Sequence, residues 1–232
     1  ILNVDYGERF NLKVTSTGRT SLTVSLGVAG QEWTLKLPIT LDEFETVLRV
    51  SYSWDAPAQA GLVAVYQPET GHFAQALVNR PRPVRWTDIE MLIAENPCRS
   101  QVPGLAFIGI SRGFEPCGPL PNLGADTLVG TEDGWKSIQS IKAEDRVLLA
   151  DGRSASPVKV VRCTVPARGT LCPVRLNVPY FQLPQPTQVA KGSKVLLSGV
   201  DVEYLLGAEC IVAHADHLID SISAVARSDQ PV

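Results

Sequence analysis

Histidine and cysteine, the side chains that most often act as general bases, nucleophiles and metal ligands, are sparse in this sequence. There are three histidines and five cysteines among 232 residues. The densest group is His214, Asp216 and His217. On a strand, His214 and Asp216 would share one face and His217 would point to the other, so three converging ligands would require a bulge. We therefore expect neither a metal nor another cofactor.

The cysteines form no recognisable motif. Their number is odd, and no C-x-x-C pair of the kind found in zinc sites and redox motifs is present. We expect isolated, reduced and mostly buried thiols. A disulfide between Cys163 and Cys172 remains an alternative, because a hairpin could place these two side chains opposite each other. The five are Cys98, Cys117, Cys163, Cys172 and Cys210.

The composition is that of a folded protein, with 44% hydrophobic and 19% charged residues. Its length corresponds to one large or two small domains. No run approaches the roughly 20 apolar residues of a membrane helix. The 21 basic and 24 acidic residues give no electrostatic reason to expect nucleic acid or a membrane as partner. The chain begins at Ile1, so we expect a trimmed N-terminus, and both a cytoplasmic and a secreted bacterial location stay open.

Apolar and polar residues alternate with a period of two in the first half of the chain, which predicts half-buried strands. Residues 22–28 and 33–37 flank a short turn and predict a hairpin. Residues 48–54 repeat the alternation, and residues 62–66 and 73–78 predict a second hairpin. Strands at this spacing are typical of a β-sandwich.

One short helix is predicted within this sandwich. Thr87 and Glu90 form a capping box, in which each side chain satisfies a free backbone amide of the first turn. The helix should end at Asn96, before Pro97. The apolar run at residues 104–110 then predicts a central strand.

A segment rich in proline and glycine, residues 114–124, marks the predicted domain boundary, because it has too few backbone donors for a strand. We predict a β-sandwich-like domain over residues 1–116 and a second domain over residues 117–232. The second domain has short strands, turn residues and no helical apolar stripe of ten residues, so the whole chain is predicted to be all-β. Its predicted strands are 127–131, 146–149, 158–163, 173–178, 194–197 and 210–213.

An ordered series of motifs runs through this second domain. The first, residues 127–147, combines a strand, an Asp133-Gly134 turn and a later Asp145. The series resembles the blocks of Hint domains, the self-processing modules shared by hedgehog proteins and inteins, over about residues 117–220. The resemblance implies a compact, all-β, horseshoe-like fold. The later motifs are residues 173–176, 194–199, 202–207 and 211–218.

The resemblance also implies the positions of a catalytic site. In Hint domains a cysteine or serine attacks the preceding carbonyl, and a T-x-x-H element polarises and protonates the same peptide bond. On this chain the nucleophile position is Asn122 and the motif's glycine is Asp126. The T-x-x-H element falls on Ala190 and Ser193. Neither a nucleophile nor an acid stands at these positions, so the resemblance implies a Hint domain that has lost autoprocessing.

Three functions remain as hypotheses. The first is a structural or binding module, whose partner is an unidentified protein or carbohydrate and whose oligomeric state is open. The second is a self-cleaving protein that recruits Cys117 or Ser193, which would need both a base and a carbonyl near residue 121 within hydrogen-bond reach. The third is a lectin-like sandwich that exposes aromatic rings to a sugar. The aromatic candidates are Tyr52, Trp54, Tyr66 and Phe73.

Overall fold

The chain divides into two compact units, Ile1–Pro119 and Leu120–Val232. Both consist mainly of antiparallel strands, so the fold is all-β, as the sequence predicts. Asn96, Cys98 and Gly104, which the sequence predictions name, lie outside the residues that can be described. The computed structural model describes residues 2–16, 18–41, 47–95 and 105–227.

A four-stranded antiparallel sheet opens the first unit. Its strands are β1 Leu2–Asp5, β2 Phe10–Ser16, β3 Ser21–Val28 and β4 Gln31–Pro38. They lie side by side in chain order. β3 and β4 form the first predicted hairpin, and its turn is made by Ala29 and Gly30 with φ angles of 49° and 76°. Two left-handed residues match the twist of the strands that they join.

A second sheet of the first unit contains the other predicted strands. Its strands are β5 Arg49–Asp55, β6 Ala60–Gln67 and β7 His72–Asn79, with β6 in the middle. The strand predicted at residues 48–54 and the second predicted hairpin are thereby confirmed.

The two sheets of the first unit share one buried core, which makes this unit sandwich-like. Leu22 and Val24 of β3 and Val63 and Val65 of β6 are completely buried in the same cluster. Full burial of a side chain of this kind contributes about 1.5–3 kcal/mol. The alternating apolar residues therefore position the sheets, and the intervening polar residues of β1–β4 face outwards.

The predicted helix exists, but its cap is different. α1 spans Trp86–Glu95, and the backbone amides of its first turn donate to the carbonyl of Arg85. Glu90 accepts a hydrogen bond from the indole Nε1 of Trp86 at 2.6 Å. The capping box predicted for Thr87 and Glu90 is therefore wrong, because the helix begins before Thr87 and the glutamate binds an indole instead of a backbone amide.

The central strand predicted from the apolar run is also wrong over its described part. Residues 105–110 belong to no strand, and Phe107 is 80% exposed. Leu105 and Ile108 instead pack against the core of the first unit. A short apolar run alone does not distinguish a strand from an irregular segment that buries every third residue.

The second unit contains small antiparallel sheets. Its strands are β8 Leu128–Thr131, β9 Gly134–Ser137, β10 Val147–Leu148, β11 Ser154–Ala155, β12 Val174–Leu176, β13 Thr187–Val189, β14 Lys194–Ser198, β15 Cys210–His214 and β16 Ala224–Ala226. The strand orders are β11-β10-β8-β9, β13-β12-β16 and β14-β15. Every strand predicted for this half is present at least in part, except the one at residues 158–163.

The segment at residues 158–163 is irregular because side chains, and not a ladder, hold it. The guanidinium of Arg162 donates to the carbonyls of Gln139 and Ile141 at 2.9–3.1 Å. Val158 is fully exposed. The strand predicted here is wrong, since alternation of apolar residues does not supply a neighbouring strand.

Short helical segments complete the second unit. A seven-residue helix, α2 Val200–Leu206, joins β14 to β15. The buried core is small and consists of Val174, Leu176, Val189, Ala215 and Ala224. The 3-10 turns are Ile138–Ser140, Gly169–Leu171, Tyr180–Gln182 and Ala215–Leu218.

A single carboxylate organises the turn before β16. Oδ1 of Asp220 accepts the backbone N–H groups of Ile222, Ser223 and Ala224 at 2.7–3.1 Å, and Oδ2 accepts the Ser223 hydroxyl at 2.6 Å. Hydrogen bonds hold the pKa of Asp220 well below its ordinary value, and the bond from the Ser223 hydroxyl has a larger effect than those from the backbone amides. The charged carboxylate is therefore the form that the turn stabilises.

The Asp220→Ala variant tests this turn as a function of pH. A folded pKa below the unfolded value of about 3.9 stabilises the fold above that pH, and the contribution disappears as the pH falls. We expect Asp220→Ala to destabilise the second unit at neutral pH and to match the wild type increasingly below pH of about 4. Urea unfolding at several pH values measures this gap. A gap that is independent of pH would contradict the prediction. Asp126→Ala is the control, because the exposed Asp126 side chain makes no hydrogen bond within the described residues.

Candidate functional site

The predicted nucleophile position and the predicted T-x-x-H element meet in the second unit, although about 70 residues separate them along the chain. Leu123 forms an antiparallel bridge with Val189. On either side of the bridge, Ala190 N–H donates to the carbonyl of Asn122 at 2.9 Å and Gly124 N–H donates to the carbonyl of Gln188 at 2.7 Å. This short ladder places Asn122 beside Ala190.

Ser193 completes the contact with Asn122. Its Oγ donates to the same Asn122 carbonyl at 3.0 Å. The oxygen of Asn122 therefore accepts two hydrogen bonds, one from a backbone amide and one from a hydroxyl, which uses both of its lone pairs. The structure thus brings together Asn122, Ala190 and Ser193, three of the four candidate site residues.

Neighbouring backbone fixes the turn that carries Ala190 and Ser193. Ser193 N–H donates to the carbonyl of Ala190 at 2.9 Å. Ala215 N–H donates to the carbonyl of Ser193 at 2.9 Å, and Asp216 N–H donates to that of Lys191 at 3.1 Å. Because Ala215 is completely buried, the turn is anchored to the core of the unit.

Gly124 is required by the close approach of the two segments. A Cβ atom at this position would lie 2.8 Å from the Cβ of Gln188 and 3.3 Å from its carbonyl oxygen. Thr127 nearby is buried and directs its hydroxyl to the same carbonyl at 3.4 Å. Any larger residue at 124 would push Asn122 away from Ala190.

The arrangement holds the carbonyl of Asn122 but lacks the groups that would cleave the peptide bond before Asn122. The carboxamide of Asn122 is a poor nucleophile in comparison with a thiolate. Among the described residues, no imidazole, carboxylate or amine forms a hydrogen bond with the hydroxyl of Ser193 that would remove its proton. Two donors polarise the Asn122 carbonyl, but this carbonyl belongs to the bond to Leu123, one residue beyond the Pro121 carbonyl that a Hint nucleophile at position 122 attacks.

Asp126, the fourth candidate, stands apart from the other three. Its backbone carbonyl accepts a hydrogen bond from Nε2 of Gln185 at 2.7 Å, and its side chain is exposed. Within the described part of the chain, no hydrogen bond joins Asp126 to Asn122, Ala190 or Ser193.

Cys117 belongs to the first unit, although the predicted boundary places it in the second. Its buried Sγ lies 3.3 Å from the carbonyl oxygen of Arg49 and 3.6 Å from that of Ala64. Burial raises the pKa of the Cys117 thiol, and the nearby Ser51 and Arg49 offset this only in part. A thiol that remains protonated at neutral pH is a weak nucleophile.

The histidine group does not form a metal site. β15 ends at His214, and residues 215–218 form a 3-10 turn, so the strand geometry considered for Asp216 and His217 does not apply. The rings of His214 and His217 meet edge to face at 5.7 Å. Within the described residues no three His, Cys, Asp or Glu side chains are arranged to hold a metal ion.

His214 is nevertheless close to the candidate site, a placement that the sequence analysis missed. Its Nδ1 lies 3.3 Å from the carbonyl oxygen of Gly192, in the turn that carries Ser193. The hairpin register, which pairs Lys194 with His214, brings the imidazole there. The sequence contained a signal for this placement, because pairing the predicted strands at residues 194–197 and 210–213 would have brought His214 near the turn.

The two remaining sequence alternatives concern other parts of the molecule. Cys163 and Cys172 are both thiols, so the disulfide alternative is wrong. Cys172 Sγ lies 2.9 Å from the carbonyl oxygen of Arg227 instead.

The aromatic residues proposed for sugar binding are half-buried. The rings of Tyr52 and Trp54 stack on each other at 5.3 Å. The Tyr52 hydroxyl donates to the carbonyl of Arg82 at 3.0 Å, and burial raises the pKa of this tyrosine. The Tyr52 and Trp54 rings thus contact each other and the Tyr52 hydroxyl is bound within the protein, while the lectin-like hypothesis stays a prediction.

An open polar pocket of about 320 Å³ lies on the β1–β4 sheet of the first unit. The lining aromatic residue, Trp33, is half-buried against the core. The polar lining combines neutral hydrogen-bonding side chains with one basic and two acidic side chains. It consists of Asn3, Asp5, Asn11, Lys13, Ser25, Glu32 and Thr34.

Comparison of the chain with family models, with curated proteins and with solved structures found no match. No helix within the described ranges is long and apolar enough to cross a bilayer. The fold itself defines the class of protein, an all-β chain of two units, the first of them sandwich-like.

Proposed function

We propose that the second unit is a Hint-type scaffold that no longer processes its own chain and that the protein acts as a structural or binding module. The proposal combines the order of the sequence motifs with the position of the candidate site. Its rivals are the self-cleaving and lectin-like hypotheses.

The convergence of Asn122, Ala190 and Ser193 is the observation that carries the proposal. A Hint site needs its nucleophile position next to its T-x-x-H element, and the motif alignment assigns these roles to residues about 70 positions apart. Three hydrogen bonds and one β-bridge join residues 122–124 to residues 188–193. If the alignment had matched unrelated residues, contact between the two segments would not be expected.

The chemistry at these positions supports loss of processing. Cleavage needs an attacking group, an acid for the departing nitrogen and donors for the oxyanion. Asn122 and Ser193 supply neither of the first two functions. Because the members of such a site act as a unit, loss of one member removes most of the rate and loss of two removes little more.

The self-cleaving rival requires Cys117 or Ser193 to act. Cys117 lies in the other unit, with a buried thiol of raised pKa. Ser193 touches a carbonyl oxygen, but its hydroxyl has no base within hydrogen-bond distance among the described residues. Each candidate therefore lacks one of the groups that the rival hypothesis needs.

Intact-mass spectrometry of the wild-type chain, incubated for days with and without dithiothreitol or hydroxylamine, tests the proposal. We expect one unchanged mass in all conditions. Fragments that end near residue 121 in the presence of thiol would show that the site still cuts, and the proposal would then fail in favour of the self-cleaving rival.

A further inference from the structure

The hairpin of the second unit formed by β14, α2 and β15 exposes an unusual amount of apolar side chain. The inner residues of both strands are half-buried, while the outer residues alternate with them and are exposed. Leu196 and Val212 are cross-strand partners on this outer face and are 53% and 61% exposed. The other large exposed apolar residues of the hairpin are Val200, Tyr204, Leu205 and Leu206.

Helix α2 has almost no packing partner of its own. Of its seven residues only Val202 is half-buried, and the others are exposed. A helix of this length is not stable in water by itself. Large exposed apolar side chains grouped on one element are a feature of interaction surfaces.

The charges of the hairpin are divided between its two ends. Lys194 lies at the open end, opposite His214 in the strand register, and is exposed. Asp201 and Glu203 in α2 and Glu209 before β15 are exposed at the closed end. Neither Lys194 nor any of these three acidic residues forms an ion pair with another described residue.

We propose that this hairpin is the interface through which two copies of the chain form a twofold dimer. The twofold axis lies in the plane of the interface and crosses the strands at the Leu196–Val212 pair. It stacks the two outer faces and reverses the direction of the second hairpin. The Lys194 end of each copy then lies opposite the acidic end of the other. The two ends of one hairpin are about 13 Å apart along the strands. Lys194 of each copy thus lies towards the acidic residues of the other, which is the reciprocal arrangement of an isologous interface.

The isolation of this sheet favours the same occupant. β14 and β15 form a two-stranded sheet with no further strand neighbour among the described residues, and a sheet of two strands is marginal alone. A second copy that lies face to face on this sheet supplies the apolar cover that the sheet lacks. The acidic groups at the closed end disfavour the alternative, an anionic membrane surface, through charge repulsion.

Sedimentation equilibrium under reducing conditions, in which exposed Cys210 cannot link two chains, tests the proposal. We expect the wild type to reach twice the chain mass of 25.1 kDa at high concentration. Leu196→Lys should weaken association at least about tenfold, since each 1.4 kcal/mol changes the dissociation constant by that factor. Leu77→Lys is the matched control, because Leu77 is a strand leucine of the first unit with similar exposure, 59%, and it should leave the dimer intact.

A charge-reversal pair distinguishes this interface from any other. Lys194→Glu alone should weaken the dimer, and Lys194→Glu combined with Glu203→Lys should restore it. Equal thermal melting of the variants at low concentration would show that all of them fold. A monomeric wild type at every concentration, a dimer insensitive to Leu196→Lys, or a double reversal no tighter than Lys194→Glu would each overturn the proposal. Flotation of a monomeric wild type with anionic vesicles would instead assign the patch to a membrane.

Discussion

Introduction of the catalytic groups of a Hint site should make the second unit cleave its own chain. We expect the triple variant Asn122→Cys, Ala190→Thr and Ser193→His to break the peptide bond between residues 121 and 122 when dithiothreitol or hydroxylamine is present. The thiol introduced at position 122 would attack the Pro121 carbonyl, and the peptide nitrogen would leave with a proton from residue 193, which gives a thioester. Dithiothreitol or hydroxylamine would then attack the thioester, take the acyl group and release the thiol of residue 122. Wild-type contacts already hold residue 122 beside residues 190 and 193.

The expected effect is large because such groups act as a unit. In a serine protease, removal of the catalytic unit lowers the rate by about 10⁶-fold. We therefore expect cleavage to change from undetectable over days to detectable within hours on a denaturing gel. Two controls belong with the triple variant: one carries Asn122→Ala in place of Asn122→Cys, and the other retains Ser193. Cleavage of the Asn122→Ala control at the same rate would contradict the assigned nucleophile position.

The second large effect concerns the two separate cores. Leu22→Ala should destabilise the first unit by about 2–5 kcal/mol, and Leu176→Ala should destabilise the second unit by a similar amount. Both leucines are almost completely buried, at 0% and 2% exposure, and each belongs to the cluster of its own unit. Leu77→Ala, at an exposed position of β7, should change stability by no more than about 0.5 kcal/mol.

Hydrogen exchange in urea, read separately on peptides from each unit, measures these effects. We expect Leu22→Ala to increase exchange in β3 and β6 and to leave β12 unchanged, and Leu176→Ala to do the reverse. Equal loss of protection in both units from either variant would show that the two cores unfold together, which would contradict their description as separate units.

The regular strands could be predicted from the sequence because their burial is local and periodic. β3 alternates Leu22, Val24 and Leu26 on its buried face, and the Ala29-Gly30 turn fixes the register with β4. β2 follows the same rule, so its signal was also available. The pattern fails where a segment packs without a ladder, as at residues 105–110.

The helix cap and the candidate site show two other limits. Thr87 and Glu90 have the spacing of a capping box, but Trp86 Nε1 competes successfully for the glutamate. Contact between Asn122 and Ser193 joins residues 71 positions apart, which no local periodicity indicates. Only the order of the motifs, compared with a known family, pointed to both positions. The fixed position of His214 beside the turn required the hairpin register as well.

The mass of the fragments from the triple variant tests the central claim most directly. Intact-mass spectrometry should find residues 1–121 as the dithiothreitol or hydroxylamine adduct and residues 122–232 with a free amino terminus, while the wild type in parallel keeps a single mass. Cleavage at another bond, or an uncleaved triple variant whose melting shows a native fold, would contradict the claim that residues 122, 190 and 193 occupy the positions of a Hint site.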